Sequence, residues 1–241
     1  GFSHSGFSAA MELTAVCFQN CHVSGLVLEN VNMRQVSNRN SRLGLDYILN
    51  VISWRMPRRF FAYGRHYLMF TDSPKFVYRK NDDYFVRLAS LDDAALLEQM
   101  GISGNLYKER LNHGDQCVIL GKDEEILSVI WGSGGKRYLR TAGAILDPGK
   151  NGFIAYGAET RINARLRGFI GLTFDVIYKH YLEEGRSQIF STVHSLNAPS
   201  YRNHLGMNFS VVGETIHFVF LGIKITYYRK WPNSTPKFHV F

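Results

Sequence analysis

Three things are scarce in this sequence, and each scarcity narrows what the chain can be. It holds only three cysteines in 241 residues, Cys17, Cys21 and Cys117, too few and too odd in number for the disulfide framework of a small secreted domain. A reducing, cytoplasmic setting is the expectation. Its longest apolar runs fall well short of the ~18 residues of a membrane-spanning helix, so no bilayer crossing is expected. Compact catalytic signatures are missing too. No G-x-x-x-x-G-K-[ST] loop, G-x-G-x-x-G turn, G-x-S-x-G elbow or H-E-x-x-H pair occurs, which sets aside the enzyme classes built on them.

What is present is enough apolar material for a real core: 45% hydrophobic and 14% aromatic residues, fitting one domain with an appendage or two small domains. The formal charge is +8, unevenly placed. Residues 1–80 carry ten bases and four acids, a net +6, and the remaining 161 residues carry +2. A basic segment of that kind attracts a polyanion such as nucleic acid, an anionic membrane surface, a phosphorylated cofactor or an acidic carrier protein, or it is simply a solvated face. Cys17-x-x-x-Cys21-His22 has half the donors of a zinc site, but no second ligand pair at finger-like spacing follows, so no metal is expected. Residues 1–10 read as an added remnant or loose terminus.

Along the chain, Leu43, Tyr47, Ile48, Val51 and Ile52 recur at helical spacing behind Ser41, predicting an amphipathic helix over 41–54. The basic, aromatic run after it suits a membrane surface, nucleic-acid stacking, or a helix whose aromatic face is core. Ser73-Pro74 suggests a boundary within 72–82. Beyond it the pattern becomes regular: a strand at 84–88, a capping box at Ser90–Asp93 opening a short helix, a weaker helix at 106–111, a hairpin of 117–120 with 126–131, extended pieces at 142–146 and 153–156, a helix ending at Gly185, a strand at 189–193, a short helix at 198–205, and closing strands at 209–212, 216–221 and 223–228.

The most informative segment is Arg165-Leu-Arg167-Gly168-Phe-Ile170-Gly171, which runs from the strand at 153–156 into a helix. Free amides and the positive dipole end of a helix converge there on a position where phosphates can sit, and Arg165 or Arg167 would add charge-assisted hydrogen bonds. An ordinary helix start with a glycine for tight packing reads equally well. Downstream stands Asn197-Ala-Pro-Ser200-Tyr-Arg-Asn-His204-Leu-Gly-Met-Asn208-Phe209. Together these segments resemble the GNAT superfamily of acyl-CoA-dependent N-acyltransferases, in which an R/Q-x-x-G-x-G/A turn between the fourth strand and the third helix cradles the cofactor pyrophosphate and an N-x-x-[AS]-x-x-x-[YH]-x-x-x-G-F helix follows the fifth strand. The resemblance spans roughly 83–231. It departs at Ile170, where the family has Gly or Ala, and at Asn208, where it has Gly. The closing strands and the ILDPG turn are similar to a subgroup linked to bacterial polysaccharide and amino-sugar biosynthesis.

The resemblance implies an α+β, three-layer fold with a mixed, mostly antiparallel twisted sheet and helices on both faces. A loose 1–10, a basic extension over 11–82 and a transferase domain over 83–241 make up the expected organisation. It implies acetyl-CoA or another acyl-CoA as co-substrate, held by Arg165, Arg167, Gly168, Ile170, Gly171, Asn197 and Ser200. The implied acceptor is a small-molecule amine such as an amino sugar or amino acid, its pocket built from regions such as 103–114 and 132–145. Glu159 is the candidate base, with a solvated strand-end carboxylate as the alternative. His204 is the candidate acid at the cofactor sulfur, with a packed helix histidine as the alternative. An acidic carrier protein or anionic membrane at the basic segment and a homodimer are further expected partners, with nucleic acid disfavoured. Two other readings stay open: a catalytically silent module of the same fold that binds nucleic acid or membrane, and a transferase whose donor is acyl carrier protein.

Overall fold

The computed structural model describes residues 40–58, 60–78, 83–98, 100–165, 167–230 and 239–240, all within a compact unit that begins at Arg39. The Cys17, Cys21 and His22 group lies outside the described residues. In chain order the elements are α1 (Asn40–Arg55), β1 (Phe61–Thr71), β2 (Phe85–Leu88), α2 (Ala94–Glu98), α3 (Gly104–Asn112), β3 (Gln116–Lys122), β4 (Glu125–Ser133), β5 (Arg137–Leu139), β6 (Ala144–Asp147), β7 (Gly152–Thr160), α4 (Phe169–Glu183), β8 (Gln188–His194), α5 (Ala198–Gly206), β9 (Ser210–Phe220), β10 (Ile223–Lys230) and β11 (His239–Val240). Short 3-10 turns precede α2 and α4.

The main sheet has eight strands in the order β10-β9-β1-β8-β7-β4-β3-β2, antiparallel throughout except for the β7–β8 step. β5, β6 and β11 form a small separate sheet. This is the expected mixed, mostly antiparallel α+β architecture. Each face of the large sheet has its own core. On one face Phe174, Ile177 and Tyr181 of α4 pack on Met69, Val118, Ile130, Phe153 and Ile189. On the other, α2 and α3 bury Leu97 and Tyr107 against Cys117, Ile119, Val129 and Trp131. Burying each such side chain stabilises the fold by ~1.5–3 kcal/mol.

Local chemistry explains where the helices start and stop. Ser90 and Asp93 form the capping box, with the Ser90 amide donating to Asp93 Oδ2 at 2.7 Å. The Ser103 hydroxyl caps α3 by accepting from the Leu106 amide. α4 begins after Gly168 at φ 78° and ends before Gly185 at φ 79°, left-handed conformations that glycine adopts without penalty.

The basic, aromatic run, for which a helix with an aromatic core face was one of three readings, is largely a strand. Residues 61–71, assigned from sequence to an extension ending at 82, are a strand inside the sheet between β8 and β9. Both faces of β1 are covered, Met69 joining the α4 core and Leu68 and Phe70 the opposite one, so its composition lacks the apolar-polar alternation that would have announced it.

Candidate active site

The site is organised by the parallel step. β7 and β8 pair only over Gly152–Ala155 with Gln188–Ser191. Beyond that, β7 stays on β4, with Ser128 opposite Thr160 and Val129 opposite Glu159, while β8 stays on β1, with Val193 opposite Tyr67 and His194 opposite His66. The two strands diverge, and their facing backbone groups have no strand between them. At the root of the divergence β7 is irregular: its register against β4 shifts between Val129 and Trp131, and Gly157 takes φ 58°.

Glu159 sits on the open stretch of β7. Its carboxyl is held above the usual range by partial desolvation, an effect that Arg110 of α3 opposes. A raised pKa brings a carboxylate closer to the range in which it takes a proton from an ammonium. Arg110 lies over the Trp131 ring at 4.8 Å and the Tyr156 ring at 5.3 Å. Beneath it the Tyr156 hydroxyl donates to buried Asp115 at 2.5 Å, and Arg137 pairs with the same carboxylate at 3.0 Å. Arg110, Trp131 and the Gly157 kink carry no motif. Only membership of the expected acceptor region, 103–114, pointed toward Arg110.

At the start of α4 the amides of Gly168, Phe169 and Ile170 donate to no described residue, whereas the Gly171 amide returns to the Gly168 carbonyl. Chain from far upstream crosses this helix end. Phe76 packs on Phe174 and Tyr178, the Tyr78 hydroxyl donates to Asp175, and a Cβ on Gly171 would lie 3.0 Å from the Val77 carbonyl oxygen. Gly171 is therefore explained by tight packing, while Gly168 is half-buried and Ile170 packs against the core. Arg165 and Arg167 are exposed, the first donating to the Thr160 carbonyl at 3.3 Å and the second to the Tyr84 hydroxyl at 3.2 Å. A cavity of about 510 Å³ opens beside Arg167, lined also by Tyr84, Lys122, Glu124 and Ala164, and neither Glu159 nor His204 borders it.

Asn197 caps α5, its side-chain oxygen accepting from the Ser200 amide at 3.1 Å. His204, 5% exposed, lies edge-on to Phe174 and Phe209. Its Nδ1 is 2.8 Å from the Ser200 carbonyl and its Nε2 3.1 Å from Ser191 Oγ. A carbonyl only accepts, so Nδ1 carries the proton and Nε2 accepts from Ser191, while burial lowers the pKa and keeps the ring neutral. This is the packed-histidine arrangement: His204 reaches the end of the parallel pairing through Ser191 and offers no proton of its own there. Asn208 adopts φ 68° and its side-chain amide donates to the Ser73 carbonyl at 2.8 Å, so an asparagine fills a left-handed position of the kind that glycine takes without penalty.

Counted from β2, the fourth strand of the main sheet runs through the Gly168 turn into the third helix, and the fifth strand leads to the Asn197 helix. That is the order of strands and helices the resemblance implies. The β1 strand beside β8 and the β5–β6 hairpin are set into that frame. No protein-family model and no curated protein matches the chain. Among solved structures it is similar to a putative GNAT-family acetyltransferase from Novosphingobium aromaticivorans, with 12% identity over 64% of this chain and 62% of that one and a TM-score of 0.48. It is similar also to a functionally unknown conserved protein from Staphylococcus epidermidis, with 11% identity over 81% and 70% and a TM-score of 0.47. A third is a predicted acetyltransferase from Clostridium acetobutylicum solved with acetyl-CoA, with 15% identity over 50% and 88% and a TM-score of 0.37. The chain spans about three fifths of the length of the Novosphingobium protein.

Proposed function

We propose that the protein is an N-acyltransferase that moves an acetyl or other acyl group from acyl-CoA directly to the primary amine of a small molecule. The observation that carries this is the divergence of β7 from β8 after Ala155 and Ser191, next to a helix start whose first amides donate to no described residue. A diphosphate would take those amides and the positive end of α4, with the exposed Arg165 and Arg167 adding charge. Acyl transfer then needs a deprotonated amine and a stabilised oxyanion. Glu159 takes the ammonium proton, directly or through a water, the freed amine adds to the thioester carbon while a backbone amide on the β7 edge meets the thioester oxygen, and collapse of that adduct breaks the C–S bond, the CoA thiolate leaving with the second proton that the nitrogen sheds. His204 is a positioning residue that fixes Ser191 at the base of the cleft. Transfer of acyl groups in polysaccharide or amino-sugar biosynthesis, and donation from acyl carrier protein, are narrower forms of the same reading.

A catalytically silent module of the same fold is the second reading, favoured by the Val77 crossing that closes Gly171 from above. Thermal denaturation with and without acetyl-CoA, joined to free-thiol release over a panel of amines, separates the two. Saturating acetyl-CoA should stabilise the wild type by about 2–3 kcal/mol at a hundredfold excess over its Kd, and Gly168→Glu should abolish that shift. Glu159→Gln should leave the shift and slow thiol release about 10²-fold or more. Absence of both shift and thiol release with every CoA ester overturns the transferase reading.

A further inference from the structure

We propose that the acceptor is an amine that also bears a carboxylate, an amino acid rather than a neutral amino sugar, and that Arg110 is the residue that selects it. This rests on the acyl-transfer reading and names its substrate class. Arg110 stands in the last turn of α3, its guanidinium over the rings of Trp131 and Tyr156. Neighbouring cations are claimed by carboxylates: Arg137 by Asp115, and Arg87 by Asp93 at 2.7 Å. Arg110 has no ion pair with a described residue. Asp115, the fully buried acid beneath the rings, is already taken by the Tyr156 hydroxyl and Arg137.

Two buried donors are left over at this spot, Arg110 Nε and Trp131 Nε1, neither with a hydrogen-bond partner among the described residues. Trp131 is 0% exposed. Leaving buried N–H groups unpaired is costly, and here a cation is involved as well. Both surround the β7 kink, where a Cβ on Gly157 would lie 3.2 Å from Trp131 Cδ1 and 3.7 Å from Arg110 Nη1. The kink packs close against the indole edge and the guanidinium, and because Gly157 is exposed and Arg110 only half-buried, the guanidinium borders the surface there. Two residues further along β7 stands Glu159, close enough for Arg110 to act on its charge without pairing with it.

The juxtaposition is a cation with no carboxylate partner among the described residues beside a strand carboxylate two residues from the kink it touches. An amino acid is the complementary ligand: its carboxylate takes the planar guanidinium fork, and its ammonium faces Glu159, the group proposed to deprotonate it. A neutral amino sugar has no charge for Arg110 and leaves the cation unpaired.

The test uses a panel of amino acids, the corresponding carboxamides and amino sugars, on the full chain and on Arg110→Gln and Arg110→Lys. Thiol release from acetyl-CoA should favour each amino acid over its carboxamide by about 10- to 100-fold in kcat/KM. In Arg110→Gln that ratio should collapse toward one, chiefly through a raised KM for the acid, with Arg110→Lys retaining part of it. A ratio within one variant is insensitive to general loss of fold or activity. Thermal shift with the same amino acids and CoA adds an equilibrium arm: stabilisation of the wild type by acids and not by carboxamides, lost in Arg110→Gln, supports the subsite even if no acyl transfer is found, which would then overturn the transferase reading alone. Equal handling of acids and carboxamides by the wild type, a preference unchanged in Arg110→Gln, or the absence of any carboxylate-dependent shift and preference overturns the proposal and assigns the orphan donors to solvent.

Discussion

Two helices lie on the same sheet by opposite means. α4 buries Phe174, Ile177 and Tyr181 and needs no polar contact to hold its inner stripe. α1 buries Asp46 and Asn50 and leaves Leu45, Ile48 and Trp54 exposed at 57%, 55% and 59%. Its inner contacts are hydrogen bonds. Arg65 of β1 bridges Asp46 at 2.9 Å and Glu214 at 2.6 Å, the Tyr63 hydroxyl donates to Asp46, and Asn50 Oδ1 meets His194 Nε2 at 3.1 Å. Arg229 adds a second cation to Glu214 at 3.0 Å. An apolar interface is non-directional and tolerates small misplacements, whereas an ionic seam orients its partners through fixed geometry and fails badly when one member is missing.

The largest effect should therefore come from breaking that seam. Arg65→Ala strands Asp46 as a buried carboxylate and leaves Glu214 with Arg229 alone, and urea denaturation should show a loss of about 3–5 kcal/mol. Replacing Asp46, Arg65 and Glu214 together by apolar residues of similar volume should recover most of that loss. Phe174→Ala should cost about 3–5 kcal/mol through transfer and cavity terms, with no compensating partner substitution of that kind. A triple variant as unstable as Arg65→Ala would mean that the seam contributes net stability through its ions rather than placement alone.

This contrast also marks where the sequence was readable. From Phe85 onward most elements carry a local signal, such as the Ser90–Asp93 box, the turn between β3 and β4, the glycines bracketing α4, and the Asn197 cap, whereas β5 and β11 carried none. The helix at α1 was legible as a helix, but its periodicity implied the wrong inner face, because the partners of Asp46 and Asn50 come from Arg65 and His194. β1 was hidden because both its faces are buried and its sheet partners, β8 and β9, lie more than a hundred residues downstream. Gly171 read as part of a phosphate turn, yet what touches it is the Val77 carbonyl, a long-range crossing no local pattern encodes. Arg110 stood on a weak helix with nothing to distinguish it from a solvated base. Its surroundings become visible only when β4 and β7 bring Trp131 and Tyr156 beneath it.

Acid should separate the two regions next. Burial lowers the His66 pKa to about 3, with His194 and His217 adding in the same direction. The unfolded chain binds that proton near pH 6.5, so between about pH 6.5 and 3 the unfolded state holds more protons and stability falls as pH falls. From pH 7 to pH 5 this single group should remove about 2 kcal/mol. His194 and His204, also lowered by burial, act with the same sign. Urea midpoints at both pH values for the wild type and His66→Asn should show a flatter dependence in the variant. Hydrogen exchange at pH 5 should open amides of β1 beside His66 before those of α4. An unchanged slope in His66→Asn would assign the acid sensitivity elsewhere.

A smaller effect belongs to the left-handed turn that closes α5. Asn208→Ala removes the Ser73 hydrogen bond and places alanine at φ 68°, which should cost about 1–2 kcal/mol. Asn208→Gly relieves the conformation but loses the same bond, so it should cost less than the alanine variant. The order of the two separates backbone strain from the tether.

The smallest effect should come from the outer stripe of α1. If its inner polar seam is what holds the helix, replacing Leu45 and Ile48 by glutamine removes apolar surface already in water and should change stability by no more than about 0.5 kcal/mol each. Glutamine is also a good helix former, so propensity does not mask the result. The equivalent change on α4, Ile177→Gln, places an amide in a fully buried position and should be severely destabilising, which makes the pair an internal control. A loss of 2 kcal/mol or more at Leu45 or Ile48 would show that this stripe is covered in solution, and α1 would then be held from both sides instead of by its ionic seam alone.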